Sequence, residues 1–180
     1  MAEILAPCGS VETLEAALRC GADAVYLGGE MFSARQNAAN FTDQELENAV
    51  YECHKRGVKV YLALNTLVTD EQLEQCLEMM KKACLMGIDG LITQDLSLIE
   101  MRSECCPDME LHASTQMTIH TKRGTLQAKE WGFSRVVLSR ELSFETIAEI
   151  AELPVETEAF VHGALCMSVS GQCFMSSVIG

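Results

Sequence analysis

The sequence predicts an α/β chain built as a TIM-barrel-like (β/α) repeat with seven parallel strands, and three observations carry that expectation. Four times a helical pattern ends at a glycine and a short aliphatic run follows at once: Gly21-Ala-Asp-Ala-Val-Tyr-Leu27, Gly57-Val-Lys-Val-Tyr-Leu62, Gly87-Ile-Asp-Gly-Leu-Ile92 and Gly132-Phe-Ser-Arg-Val-Val-Leu138. Glycine suits the left-handed position that closes a helix. The runs are largely apolar without alternation, as expected of strands covered on both faces of a parallel sheet. Their recurrence at intervals of roughly thirty residues leaves room for one crossover helix between consecutive strands.

Taken in order, the first strand reads from Ile4-Leu-Ala6 and the second from the Gly21 unit. Thr42 with Glu45 forms a capping-box pattern ahead of a helix whose stripe is Leu46, Ala49, Val50 and Cys53. The third strand follows Gly57. Thr69 with Gln72 repeats the box before a stripe of Leu73, Cys76, Leu77, Met80 and Cys84. The fourth strand follows Gly87, the fifth is Met109 to Ala113 after Pro107, the sixth follows Gly132, and the seventh is Val155 to Val161 after Pro154. A doubly wound sheet is the competing arrangement. It would want a G-x-G-x-x-G fingerprint after the first strand, where this chain has Pro7-Cys8-Gly9-Ser10. A complete barrel needs an eighth strand and about 250 residues. At 180 residues, ending in Ser176-Ser-Val-Ile-Gly180, the chain reads as a truncated or incomplete barrel. The strand edge so exposed predicts pairing into a homodimer or else instability.

Composition excludes several classes. Apolar residues make up 48% and charged residues 22%, with only 3 Pro and 12 Gly, so the chain is neither disordered nor collagen-like. Asp and Glu number 26 against 13 Lys and Arg, a formal charge of -13 that repels nucleic-acid phosphate over most of the surface. No apolar run reaches the ~20 residues of a membrane span, and no basic region precedes an apolar stretch at Met1-Ala2-Glu3; the expectation is a cytoplasmic protein without a membrane partner. Nine cysteines, an odd number scattered along the chain, fit a reducing compartment, with most of them buried as small hydrophobes.

In barrels of this kind chemistry sits at the carboxyl ends of the strands. Those positions hold Gly28 and Glu30, Asn65, Gln94 and Asp95, His112 to Gln116, Ser139-Arg140-Glu141, and Glu158 to Gly163. Arg35 and Arg140 would present guanidinium forks to an anionic small substrate, with Asn65 and Gln94 as further binding groups. An ion pair of Arg140 with Glu141 is the plainer alternative. His112, His162 and Glu158 are candidate proton carriers, although each histidine taken alone is more often a hydrogen-bonded strand-end residue.

The densest feature is Glu158-Ala-Phe160-Val-His-Gly163-Ala-Leu-Cys166-Met-Ser-Val-Ser-Gly171-Gln-Cys173-Phe-Met-Ser176. Six residues separate Cys166 from Cys173, wider than the spacing of paired zinc cysteines, which points to a larger thiolate-bound centre such as an iron-sulfur cluster or else to two inert loop thiols.

This stretch meets the pattern E-x-F-x-x-G-A-L-C, four residues, G-x-C-x-M-S at every fixed position. With Leu5-Ala-Pro-Cys-Gly9, Gly21 to Gly28, Phe32-Ser-Ala-Arg35, Asn40-Phe41, Leu64-Asn65 and His112-Ala-Ser-Thr-Gln116, the chain resembles peptidase family U-32, the collagenase-like peptidases. The resemblance implies a barrel-like N-terminal domain over residues 1-180, the remaining C-terminal part of the full-length protein being absent. It also implies a 4Fe-4S cluster with Cys166 and Cys173 as two of its four ligands. Relatives of the family hydroxylate transfer or ribosomal RNA with prephenate as hydroxyl source, or serve oxygen-independent ubiquinone hydroxylation. The implied activity is hydroxylation of RNA with an anionic co-substrate such as prephenate, RNA being contacted through segments outside this chain. The alternative is a collagenase-like peptidase with Cys166 as nucleophile and His162 as its base; neither G-x-S-x-G nor H-E-x-x-H is present to serve a different hydrolytic mechanism.

Overall fold

The structure, a computed structural model, describes residues 2-34, 40-163 and 166-173. The chain forms two compact units, Met1–Met109 and Glu110–Gly180. Both are built from the same (β/α) repeat, the TIM-barrel-like α/β architecture that the glycine-strand pattern predicts.

The first unit holds β1 (Leu5–Cys8), α1 (Val11–Arg19), β2 (Ala24–Gly28), α2 (Asp43–His54), β3 (Lys59–Leu64), α3 (Leu73–Met86), β4 (Gly90–Thr93) and α4 (Ser97–Cys105). Its strands pair in parallel and in chain order, with Leu5 opposite Ala24, Tyr26 opposite Tyr61, and Ala63 opposite Ile92. Alternation then sorts the side chains. Ala24, Tyr61 and Ile92 form one buried cluster with Leu5 and Tyr26 packed against it. Val25, Leu27, Val60, Leu62 and Leu91 alternate with these residues and are buried on the other face. Helix α1 packs on β1 and α2 on β3.

Local signals are met closely. The Thr42 hydroxyl accepts from the Glu45 N–H while Glu45 accepts from the Thr42 N–H at 2.9 Å, and Leu46, Ala49, Val50 and Cys53 are all buried. The second box differs from expectation: Thr69 and Gln72 close a 3-10 turn, Asp70–Gln72, that leads into α3. The buried stripe of α3 is Cys76, Met79, Met80 and Ala83, while Cys84 is exposed. Gly21, Gly57, Gly87 and Gly132 all adopt φ between +71° and +99°, as helix-closing glycines must.

The second unit holds β5 (Glu110–Ala113), α5 (Lys122–Glu130), β6 (Arg135–Val137), α6 (Phe144–Ala151) and β7 (Glu156–Glu158). These strands are also parallel, with His112 opposite Arg135 and Arg135 opposite Glu156. The seventh strand is shorter than the Val155 to Val161 run predicts. Its ladder ends where the Leu138 N–H donates to the Glu158 carbonyl at 2.8 Å, and Val161 is 98% exposed. A run of apolar residues becomes strand only where a neighbour offers backbone groups to pair with.

Four cysteines, Cys8, Cys53, Cys76 and Cys106, are buried, while Cys20, Cys84, Cys166 and Cys173 are exposed, so burial of most of the set is not met. Burial pushes each of the four buried thiols up to about 11, which keeps them protonated and inert. Among the described residues no helix is long and apolar enough to cross a membrane.

Candidate functional site

In the first unit the motif residues converge at the carboxyl ends of β2 and β3. The Phe41 N–H donates to the Gly28 carbonyl at 3.0 Å, folding the β2–α2 loop back over the strand end. A Cβ at Gly28 would stand 2.9 Å from both the Ser33 Oγ and the Asn40 Oδ1, so any side chain there must displace these two polar groups. Asn65 accepts the Ala34 N–H at 2.9 Å through its side-chain carbonyl, and Gln94 donates its amide to the Asn65 main-chain carbonyl at 2.9 Å. Two predicted binding residues thus brace loops, one holding the other. Asp95 accepts from the Val68 N–H and from the N–H and hydroxyl of Ser97. Burial would raise its carboxyl, but these donors outweigh burial and hold it below its ordinary value. Arg35 lies outside the described residues.

In the second unit the predicted proton carriers separate. His112 is fully buried within β5, its Nε2 3.2 Å from Glu110 Oε2. Burial first, and then the neighbouring Arg135 cation, push its imidazole down to about 4. His112 thus takes the hydrogen-bonded strand-end form, one residue from the end of β5, with its side chain buried. Arg135 is almost as deep and donates through Nε and one terminal nitrogen to Glu156 Oε2 at 3.0 and 2.9 Å. Its other terminal nitrogen lies 3.8 Å from Glu158 Oε2, so Glu158 stands beside a fixed cation. His162 is exposed on the bend that follows.

The signature segment itself is anchored. Arg140 donates from its two terminal nitrogens to the carbonyls of Cys166 at 3.2 Å and Ser168 at 3.0 Å. Glu141 Oε1 accepts the Ser170 N–H at 2.7 Å and the Ser170 hydroxyl at 3.2 Å, and it lies 3.7 Å from Arg140. The Ser170 hydroxyl oxygen also accepts the Arg140 N–H, and the Thr118 hydroxyl donates to the Ser170 carbonyl at 3.0 Å. His120 stands behind the carboxylate, its Nε2 3.3 Å from Glu141 Oε2 and its Nδ1 2.9 Å from the Thr118 carbonyl. Burial would raise Glu141; the amide and hydroxyl donors, with Arg140, hold it below the ordinary carboxylate value. The fork of Arg140, expected to grip a substrate anion, grips the loop.

Cys166 and Cys173 flank this anchor, and both are exposed. Thiolate is the donor that iron-sulfur clusters take, four to a four-iron centre. Among the described residues no group of three or more His, Cys, Asp or Glu side chains converges to hold a metal. The two thiols match the donors of such a cluster in kind and number half of the four it takes.

Thr118, His120 and Ser170 carry no motif that marks them for this role. The nearest signal is the polar character of Ser139-Arg140-Glu141 at the end of β6.

The model of peptidase family U32 matches residues 9-180. The chain is 37% identical over 176 residues to tRNA hydroxylation protein P1 of Bacillus subtilis (strain 168), covering 97% of this chain and 42% of that protein. It is 38% identical over 175 residues to the 23S rRNA 5-hydroxycytidine C2501 synthase of Escherichia coli (strain K12), covering 97% of this chain and 26% of that enzyme. It therefore spans less than half the length of these two relatives. Among solved structures, the U32 peptidase Mk0906 superposes with a TM-score of 0.71 at 19% identity, over 88% of this chain and 68% of that one, which shows the shared fold. With its signature, its strand order within each unit and a family match running from residue 9 to residue 180, this chain belongs to peptidase family U32.

Proposed function

We propose that this chain is the barrel-like part of an iron-sulfur enzyme that hydroxylates RNA, transfer or ribosomal, with an anionic small-molecule co-substrate such as prephenate. The observation that carries the reading is the anchored loop: Arg140, Glu141 and Thr118 hold the backbone between two exposed thiols, Cys166 and Cys173. A pinned backbone with outward thiols suits ligation of a shared inorganic centre, because little ordering entropy remains to be lost on binding. The two RNA-hydroxylation relatives support the substrate class. The chain's net charge of -13 assigns RNA contact to segments outside it.

Peptidase chemistry would need the His162 imidazole within hydrogen-bond reach of the Cys166 sulfur. Among the described residues no hydrogen bond joins the two, and a second signature cysteine has no task in that mechanism. The anchored pair therefore favours metal ligation.

The test is anaerobic purification of the intact protein with iron and acid-labile sulfide assays, alongside mass spectrometry of nucleosides from cells lacking the gene. About four iron and four sulfide per chain are expected, with equal loss in Cys166→Ser and Cys173→Ser and disappearance of one oxygen-bearing nucleoside. A colourless, metal-free protein, or peptide cleavage that survives Cys173→Ser and vanishes in Cys166→Ser, overturns the reading.

A further inference from the structure

Ser170 is the one deeply buried residue between the two signature cysteines, 3% exposed, and each of its polar groups has a partner. Its N–H and hydroxyl go to Glu141 Oε1, its hydroxyl oxygen accepts from the Arg140 N–H, and its carbonyl accepts from the Thr118 hydroxyl. Cys166 precedes it by four residues and Cys173 follows by three, both exposed. Ser170 is thus the buried point of a loop with an exposed cysteine on either side, and what holds it bears on the placement of both.

Among the ties, the carboxylate has the greatest leverage. The N–H to Glu141 contact at 2.7 Å is the shortest of the group and charge-assisted, a class of hydrogen bond about twice as strong as neutral ones. One oxygen takes two donors from the same residue, which fixes the direction of Ser170 as well as its position. The second oxygen lies 3.3 Å from His120 Nε2, a ring held in place by its Nδ1 contact with the Thr118 carbonyl. Arg140 then holds the stretch leading in, through the carbonyls of Cys166 and Ser168. Neither Glu141 nor His120 reaches a thiol; their influence passes through Ser170.

We propose that Glu141, backed by Arg140, is the positioning residue that sets the spatial relation of Cys166 to Cys173; its purpose, ligation of a cluster, rests on the reading above.

The first measurement is backbone hydrogen exchange over residues 166-173 in metal-free intact protein. Glu141→Ala is expected to speed exchange in that segment at least about tenfold, because a charge-assisted bond to a buried amide is lost. Glu141→Gln keeps a carbonyl acceptor for Ser170 and is expected to stay within about threefold of wild type. Exchange in the buried stretch of α5 around Ala128 reports whether the unit is still folded. If Glu141→Ala unfolds it, Thr118→Val, which removes the donor to the Ser170 carbonyl, and Ser170→Ala, which removes the hydroxyl shared by Glu141 and the Arg140 N–H, are read in the same way.

The second measurement is the absorption and electron paramagnetic resonance spectrum after anaerobic reconstitution with iron and sulfide. Glu141→Ala should give an altered or weakened cluster signal with both cysteines intact, restored in Glu141→Gln. Unchanged exchange in the alanine variant overturns the proposal. Faster exchange with a cluster spectrum identical to wild type overturns it too, since the tie would then be structural only. A wild-type protein that binds no iron defeats the functional reading, while the exchange data still decide whether Glu141 sets the loop.

Discussion

Gly171 lies against the main chain of Gln116, so close that a Cβ on it would stand 2.7 Å from the Gln116 carbonyl oxygen, and its φ is +79°. The glycine of the G-x-C motif and the last residue of His112-Ala-Ser-Thr-Gln116 are thus two halves of one contact. Both the clash and the left-handed backbone oppose any side chain, at a cost of about 1–3 kcal/mol. Gly171→Ala is expected to loosen residues 168-173 by about tenfold in amide exchange and to lower the urea midpoint accordingly; equal protection in both proteins would contradict this.

Gly28→Ala tests the corresponding contact in the first unit. Its Cβ meets Ser33 and Asn40 at 2.9 Å, and the cost is steric, about 1–3 kcal/mol. Gly9→Ala, with nothing within 4 Å, should stay within about 0.5 kcal/mol of wild type. Urea midpoints of the two variants compare them directly, and equal midpoints would show that Ser33 and Asn40 yield without cost.

His112 makes stability depend on pH. In the folded chain its imidazole takes up a proton only at about 4, whereas in the unfolded chain it does so near 6.5. Between those values the unfolded state binds more protons, so this group's contribution is complete above about pH 6.5 and is lost as pH falls toward 4. Replacing it, as in His112→Gln, should flatten the stability profile in that window. Parallel profiles for the two proteins, measured by urea unfolding from pH 7 to 4.5, would refute the assignment.

Arg135 and Glu156 should respond unequally. The arginine side chain is 8% exposed and the glutamate 66%. Arg135→Met leaves Glu158 beside a buried site with no cation, an expected loss of about 2 kcal/mol, whereas Glu156→Gln removes a largely solvated charge and costs about 1 kcal/mol or less. The reverse order in chemical denaturation would show that the exposed carboxylate carries the pair.

Local patterns in the sequence specify the elements because their causes are local. The repeat glycines close helices, Thr42 and Glu45 cap α2 within four residues, and continuous apolar runs mark buried parallel strands. Even so, β7 stops at Glu158 because backbone pairing, not apolarity, ends a strand.

Candidate site residues were legible as residue types at strand ends, and their partners were not. Asn65 and Gln94 read as binding groups, yet each braces a loop. His112 read as a carrier at the rim, yet pairing opposite Arg135 buries it. What the sequence by itself determined is the (β/α) repeat, its helix starts and stops, and the two signature thiols. Only the tertiary structure decided that Arg140 and Glu141 hold the loop bearing those thiols, because a hydrogen bond between residues 29 positions apart has no signature in the chain and arises only when packing brings donor and acceptor together.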